Sequence, residues 1–382
     1  MQRLFRRTNA SRARGQSLAP LSIAPALALG GLLVGCAPSY PHVTSCQDIG
    51  DLHVICDMQN PEDLALLPGD AQVVVSQFGS MDGSRPGNLA LFDLESEKVE
   101  IAFEGGSAGA ERAQQAEQAP GWGDPNCPGP PTEKFSPHGI DLADLPGLGL
   151  RLLVVNHGSR EAVEFFAVEQ KGGEVELNWR GCAPAPDEAF LNDVVNLPGG
   201  GFLVTQMMPR GEATWGILKA ALGFDTGHVY QWESGQGFAI AKGTRAPFPN
   251  GIELSEDGRF IYLNVYSGGE VRKIDRQKGE VLATVAVASP DNVTWGRDGR
   301  LLVASHRGGL FDQLACMGLE AGACGMEFAV VAVEPGKMQA ETLLNHAGAP
   351  MGAGTVILDV GDGEFLIGSF AADRMLRVRL AR

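Results

Sequence analysis

Six times along this chain a glycine-bearing turn is followed closely by a short, unbroken apolar run. Pro68-Gly69-Asp70 precedes Val73-Val74-Val75, Pro146-Gly147 precedes Leu152-Leu153-Val154-Val155, and Pro198-Gly199-Gly200 precedes Phe202-Leu203-Val204. Asp257-Gly258 then leads into Phe260-Ile261-Tyr262-Leu263, Asp298-Gly299 into Leu301-Leu302-Val303, and Asp362-Gly363 into Phe365-Leu366-Ile367. Glycine supplies the positive φ of a hairpin turn, and the apolar run suits a strand buried between stacked sheets. Six such units closing into a ring predict an all-β, six-bladed β-propeller around a central channel, spanning residues 51–382. The last unit has only three candidate strands, Thr355 to Val360, Glu364 to Phe370 and Met375 to Leu380. Its fourth is expected from the N-terminal side, between Leu52 and Met58, where it would cover an edge open to aggregation.

The units are unevenly spaced. The widest gap holds a Gly/Pro/Cys-rich insertion at about 105–131, including the polar run Glu111 to Gln118. It is expected to be a surface loop, with Cys127 available to staple it. A second irregular stretch, Arg210 to Gly227, contains the helix-like run Ile217 to Leu222. That run suits a lid, a membrane-facing segment or a plain helical loop over a blade.

The chain begins with an export segment. Residues 1–17 carry five arginines and no acid, and an apolar stretch from Leu18 to Gly35 follows, broken by Pro20 and Pro25. Prolines and a basic leader suit a signal h-region better than a membrane span. The run ends in Leu33-Val34-Gly35-Cys36, similar to a bacterial lipobox, whose cysteine sulfur carries lipid. Residues 1–35 are therefore expected to be a lipoprotein signal peptide and 36–50 a tether from a lipidated Cys36. The alternative is an ordinary signal cleaved near Ala37. The expected location is the bacterial cell envelope, on the periplasmic face or the cell surface, with membrane contact through the lipid alone.

The net charge of the chain is −16, and loss of the five leader arginines leaves −21. Such a surface repels nucleic acid and anionic headgroups and favours cations. Of seven cysteines, Cys36 aside, six remain: Cys46, Cys56, Cys127, Cys182, Cys316 and Cys324. An even number in an oxidising compartment predicts up to three disulfides, with Cys46–Cys56 and Cys316–Cys324 the close pairs and the connectivity open. None lies at the CxxC spacing of a zinc site.

The residues just before the turns carry the chemistry. They belong to the innermost strand of each blade, whose start lies at one end of the channel. There the chain reads Glu62-Asp63, His138, Asn192-Asp193, Asn250 and Asp291-Asn292, each stretch starting seven to nine residues before its turn glycine. The repeat thus places oxygen-bearing side chains at nearly one depth around one axis. Two carboxylates and three amides suit a hard cation such as calcium, whereas softer metals want imidazole or thiolate. Taken singly, each of these residues is equally at home as a turn or cap residue.

Six stretches in order, Pro61-Glu62-Asp63-Leu64, Pro137-His138-Gly139-Ile140, Val155-Asn156-His157, Leu191-Asn192-Asp193-Val194, Pro249-Asn250-Gly251-Ile252 and Asp291-Asn292-Val293, resemble the paraoxonase (arylesterase/lactonase) family, from about residue 60 to the C-terminus. The resemblance implies two Ca²⁺ ions in the channel. The catalytic ion would be held by Glu62, Asn192, Asn250, Asp291 and Asn292. The structural ion would be held by Asp63, Asp193 and the backbone carbonyl of Ile140. Successive strand residues point to opposite faces, so neighbours serving two ions at one axis require a local irregularity of the strand. The resemblance further implies a His138–His157 dyad acting as general base, and His306 in contact with substrate.

The expected function is calcium-dependent hydrolysis of lactones and aryl esters, in which Ca²⁺ polarises the carbonyl and the dyad activates water. A mechanism of this kind requires no serine nucleophile. The expected partner is a small lactone or ester, not nucleic acid. The chain departs from the family pattern at Gln206-Met207-Met208-Pro209, in the insertion near residue 120, and in having no cysteine after Cys324. These differences bear on substrate more than on metal. Two rival expectations are a non-catalytic, lipid-anchored, calcium-stabilised propeller that binds a partner, and a gluconolactonase-like sugar lactonase with one metal.

Overall fold

The computed structural model describes residues 40, 42–80, 84–106, 121–308, 310–317, 319 and 321–380. The signal peptide, Cys36 and the polar run Glu111 to Gln118 lie outside the described residues.

Six four-stranded antiparallel sheets follow one another along the chain. Their inner strands are Pro61–Leu66, Pro137–Leu145, Leu191–Asn196, Pro249–Leu254, Pro290–Trp295 and Gly354–Gly361, which define blades 1 to 6. Each predicted apolar run forms the second strand of its blade: Gln72–Gln77, Gly149–Asn156, Phe202–Gln206, Phe260–Val265, Leu301–His306 and Glu364–Ser369. Second strands are buried on both faces, as Val73, Val74 and Val75 are.

Apolar clusters fill the gaps between neighbouring blades. Leu152, Val154 and Phe166 of blade 2 pack on Val74 and Leu89 of blade 1. Phe202 and Trp232 of blade 3 pack on Val163 and Phe165 of blade 2, with the Phe202 and Trp232 rings stacked 5.1 Å apart. Ring closure follows the same rule, since Val356 and Leu366 of blade 6 meet Val73 and Val75 of blade 1. Burial of a residue of this size contributes about 1.5–3 kcal/mol, so the inter-blade seams dominate stability.

His53–Ile55 pairs with Met375–Arg379 as the outer strand of blade 6, so the N-terminal side closes the ring as expected. A shorter segment, His42–Val43, pairs with Ala323–Cys324. Arg374 is fully buried beneath this junction and donates to the carbonyls of Val43, Ser45 and Pro350. Disulfides join Cys46 to Cys56, Cys127 to Cys182 and Cys316 to Cys324. The second ties the insertion to blade 2, leaving the loop anchored at its C-terminal end.

The irregular stretch in blade 3 forms a 3₁₀ turn, Arg210–Glu212, and a helix, Ala213–Ala221. It links the second and third strands of blade 3 at the channel end where inner strands begin. Gly216 sits against Met208, where a Cβ would lie 2.7 Å from the sulfur.

Candidate active site and metal centre

Every inner strand is irregular near its start. The pairing register shifts between Pro61 and Asp63, Pro137 and Ile140, Leu191 and Val194, Pro249 and Ile252, Pro290 and Val293, and Gly354 and Val356. A bulge breaks the strict alternation of side chains, and this allows neighbours such as Asn192 and Asp193 to share the channel. Two glycines let the strands approach. A Cβ on Gly139 would lie 2.6 Å from the Asn192 carbonyl oxygen, and one on Gly251 would lie 2.4 Å from that of Asp291.

The structure brings two pairs of the five expected ligands into contact. The Asn292 amide donates to Glu62 Oε1 at 2.9 Å, joining blade 5 to blade 1. The Asn250 amide donates to Asp291 Oδ1 at 2.6 Å, joining blade 4 to blade 5. The Asn192 amide points its nitrogen at the Met207 sulfur, 3.4 Å away. Glu62, Asn192, Asn250, Asp291 and Asn292 are all buried. Glu62 Oε2, Asn192 Oδ1 and Asn250 Oδ1 have no hydrogen-bond partner. Leaving a buried acceptor unmatched costs about 1–3 kcal/mol, and more for a charged one. Burial first, then the Glu62 charge, pushes the Asp291 carboxyl well above the usual range.

Asp63 and Asp193 lie deeper and are held differently. Asp63 accepts the backbone N–H groups of Leu64 and Ile140, and Asp193 those of Val194 and Ile252. The Ile140 contact thus engages its N–H, and each carboxylate oxygen keeps a second lone pair. Burial, then mutual repulsion and the Glu62 charge, raises the Asp63 carboxyl; burial likewise raises that of Asp193. Both line a cavity of about 150 Å³ together with Ile140, Asp141, Ile252 and Glu253. Among the described residues no group of three or more His, Cys, Asp and Glu side chains gathers to hold a metal. Any cation in this channel therefore depends on amide and backbone oxygens as well, a donor set that fits calcium and not zinc.

Two of the three expected histidines, His138 and His306, meet carboxylates of the ring, and His157 stands behind His138. His138 Nδ1 lies 2.9 Å from His157 Nε2, and His138 Nε2 lies 3.5 Å from Glu62 Oε1. His306 Nε2 faces Asp291 Oδ2 at 3.4 Å, while its Nδ1 meets the Tyr266 hydroxyl and the Gln313 amide. Burial lowers the His157 ring below its ordinary value and takes His306 down to about 4. Burial thus disfavours the charged form of both rings.

A family model described as arylesterase matches residues 49–372. The chain belongs to the arylesterase family. No curated protein matches this arylesterase-family chain. Among solved structures, a luciferin-regenerating enzyme is similar with a TM-score of 0.51 at 12% identity, covering 86% of this chain and 94% of that one. A gluconolactonase from Xanthomonas campestris matches at 0.48 and 16%, over 91% and 96% of the two chains. Regucalcin, a calcium-binding protein from Agrobacterium tumefaciens, matches at 0.46 and 12%, over 90% and 97%. At such identities the likeness concerns the fold, and the family match itself makes the chain a propeller hydrolase.

Several residues of this arylesterase-family site escape a reading of the sequence. Asp141 and Glu253, raised by burial, line the deep cavity. A signal for them existed, because each follows the parallel motifs Pro137-His138-Gly139-Ile140 and Pro249-Asn250-Gly251-Ile252. Thr355 gives its hydroxyl to the Glu62 carbonyl at 2.7 Å, from blade 6. Arg210 and Tyr266 reach the histidines from distant parts of the chain, whereas Glu161 and Gln313 lie four and seven residues from His157 and His306.

Proposed function

We propose that this chain hydrolyses lactones and aryl esters in a calcium-dependent reaction at the channel mouth. What supports this reading is that Glu62, Asn192 and Asn250, at matching starts of three inner strands, each keep a buried oxygen without a partner, and that Asn250 contacts the Asp291 carboxylate. Glu62, Asn192, Asn250, Asp291 and Asn292 would hold a catalytic Ca²⁺. Asp63, Asp193 and the Ile140 carbonyl would hold a second, structural one. Calcium bound there supplies a Lewis acid for the substrate carbonyl and positive charge for the developing oxyanion. The protein's own groups do the rest. His138 Nε2, facing Glu62, takes the proton of the attacking water. His157 holds the His138 ring through the 2.9 Å contact. His306 faces the substrate from the Asp291 side. In this reading Cys36 carries the lipid that keeps the domain on a cell-envelope membrane.

The test is hydrolysis of phenyl acetate and a panel of aliphatic lactones, with and without chelator. Turnover is expected on at least one substrate type, lost on chelation and restored by calcium. No turnover on either type leaves a calcium-stabilised binding module as the better account. Within the site, His138→Gln is expected to lower kcat about 10²-fold or more, in the range of a positioned base, with calcium content unchanged. Unaltered turnover in that variant removes His138 as the base.

A further inference from the structure

We propose that Glu161 is a positioning residue that fixes the tautomer of the two-histidine chain, and that Arg210 holds it from the root of the Ala213–Ala221 helix. Both Glu161 oxygens lie 3.0 Å from His157 Nδ1. Oε1 also accepts the Leu191 backbone N–H at 2.6 Å, and Oε2 accepts the Arg210 guanidinium at 2.6 Å. Arg210 in turn donates to the His157 carbonyl and lies over the Phe190 ring, which itself packs edge-on against His157. The Glu161 side chain is 7% exposed and that of His157 is 0% exposed, so water does not substitute for these contacts.

With N–H donors occupying both oxygens, the carboxylate presents only acceptors to the imidazole. A neutral His157, the form that burial favours, must therefore carry its single proton on Nδ1. Its Nε2 then offers a lone pair to His138 Nδ1, which must be the protonated atom of that ring. The lone pair of a neutral His138 is left on Nε2, at the Glu62 side of the ring. One carboxylate on blade 2 thus decides, through two imidazoles, which atom of His138 can accept a proton at the channel. Nothing in Glu161 touches the channel itself. The consequence for turnover rests on the proposed role of His138 as base, whereas the tautomer does not.

The experiment is ¹⁵N NMR of the histidine rings in the whole folded chain, paired with steady-state kinetics. In the wild type, His157 is expected to show a protonated Nδ1 and an unprotonated Nε2, assigned by loss of its signals in His157→Gln. Glu161→Gln offers an amide donor in place of one acceptor and is expected to move His157 toward the Nε2-protonated form. It should lower kcat about 10–100-fold, the usual cost of losing an orienting partner, with KM changed less than about 2-fold. Glu161→Asp is expected to restore the wild-type pattern and most of kcat. A wild-type His157 protonated on Nε2 overturns the proposal whatever the variants do, and so does a folded Glu161→Gln with unaltered signals and kcat. If the wild type hydrolyses nothing but Glu161→Gln still changes the His157 tautomer, the base assignment fails and the positioning role stands.

Discussion

Replacing Asp291 with alanine is expected to lower kcat/KM for lactone or aryl-ester hydrolysis by about 10³-fold or more, and Asn250→Ala to do the same. The two residues form one unit. The Asn250 amide nitrogen donates to Asp291 Oδ1 at 2.6 Å, so its own oxygen is turned into the ring without a partner. Removing Asp291 takes away one of two ring carboxylates and lets the amide rotate. Removing Asn250 takes away an amide ligand and frees the carboxylate to turn. His306 loses its neighbour at 3.4 Å in the first case only. Either change weakens the hold on a cation on which carbonyl polarisation depends. The check is kcat/KM on purified variants with calcium measured in the same samples. Full activity in either one, independent of chelator, would falsify the assignment of the ring.

The second large effect concerns stability. Stripping divalent ions is expected to lower the melting temperature by roughly 8 °C near pH 8. An ion at about 1,000 times its Kd contributes about 4 kcal/mol, and a chain of this size shifts by about 2 °C per kcal/mol. The difference between loaded and stripped protein should shrink toward pH 5. Asp63, Asp193 and Asp291 have carboxyl pKa values raised above 3.8, by burial first and then by one another and Glu62. A raised pKa means that the stripped folded state binds protons more tightly than the unfolded chain. The stability contributed by these three groups is therefore fully present below the ordinary carboxylate value and is lost as pH rises through the raised values. Bound cations offset that loss at high pH, while protons displace them at low pH. Asp291→Asn should accordingly raise the melting temperature of the stripped protein and lower that of the loaded one. Calorimetry with and without chelator across this pH range decides the matter, and equal melting curves would show that the channel holds no stabilising cation.

Much of this was readable along the chain because a propeller is a repeat. Each turn glycine and apolar run announces a blade, and the bulged start of each inner strand precedes the turn at a nearly constant offset. Glu62, Asn192, Asn250, Asp291 and Asn292 were legible by that offset alone. The acidic positions Asp141 and Glu253 repeat in the same way, each directly after the isoleucine of its motif. Glu161 and Arg210 follow no repeat. They lie 49 positions apart in irregular connections of different blades, where neither spacing nor composition carries a signal.

Local sequence determined the element type, the number of blades, the strand that closes the ring and the depth at which polar side chains enter the channel. All of these depend on short-range periodicity and on what a turn or a bulge permits. Only the tertiary structure decided which oxygens are matched and which are left open, that Asp63 and Asp193 are held by backbone N–H groups, and that Glu161 is held by Leu191 and Arg210 against His157. Hydrogen-bond partnership is a property of distances between blades, and those distances follow from how the apolar seams pack rather than from any one segment.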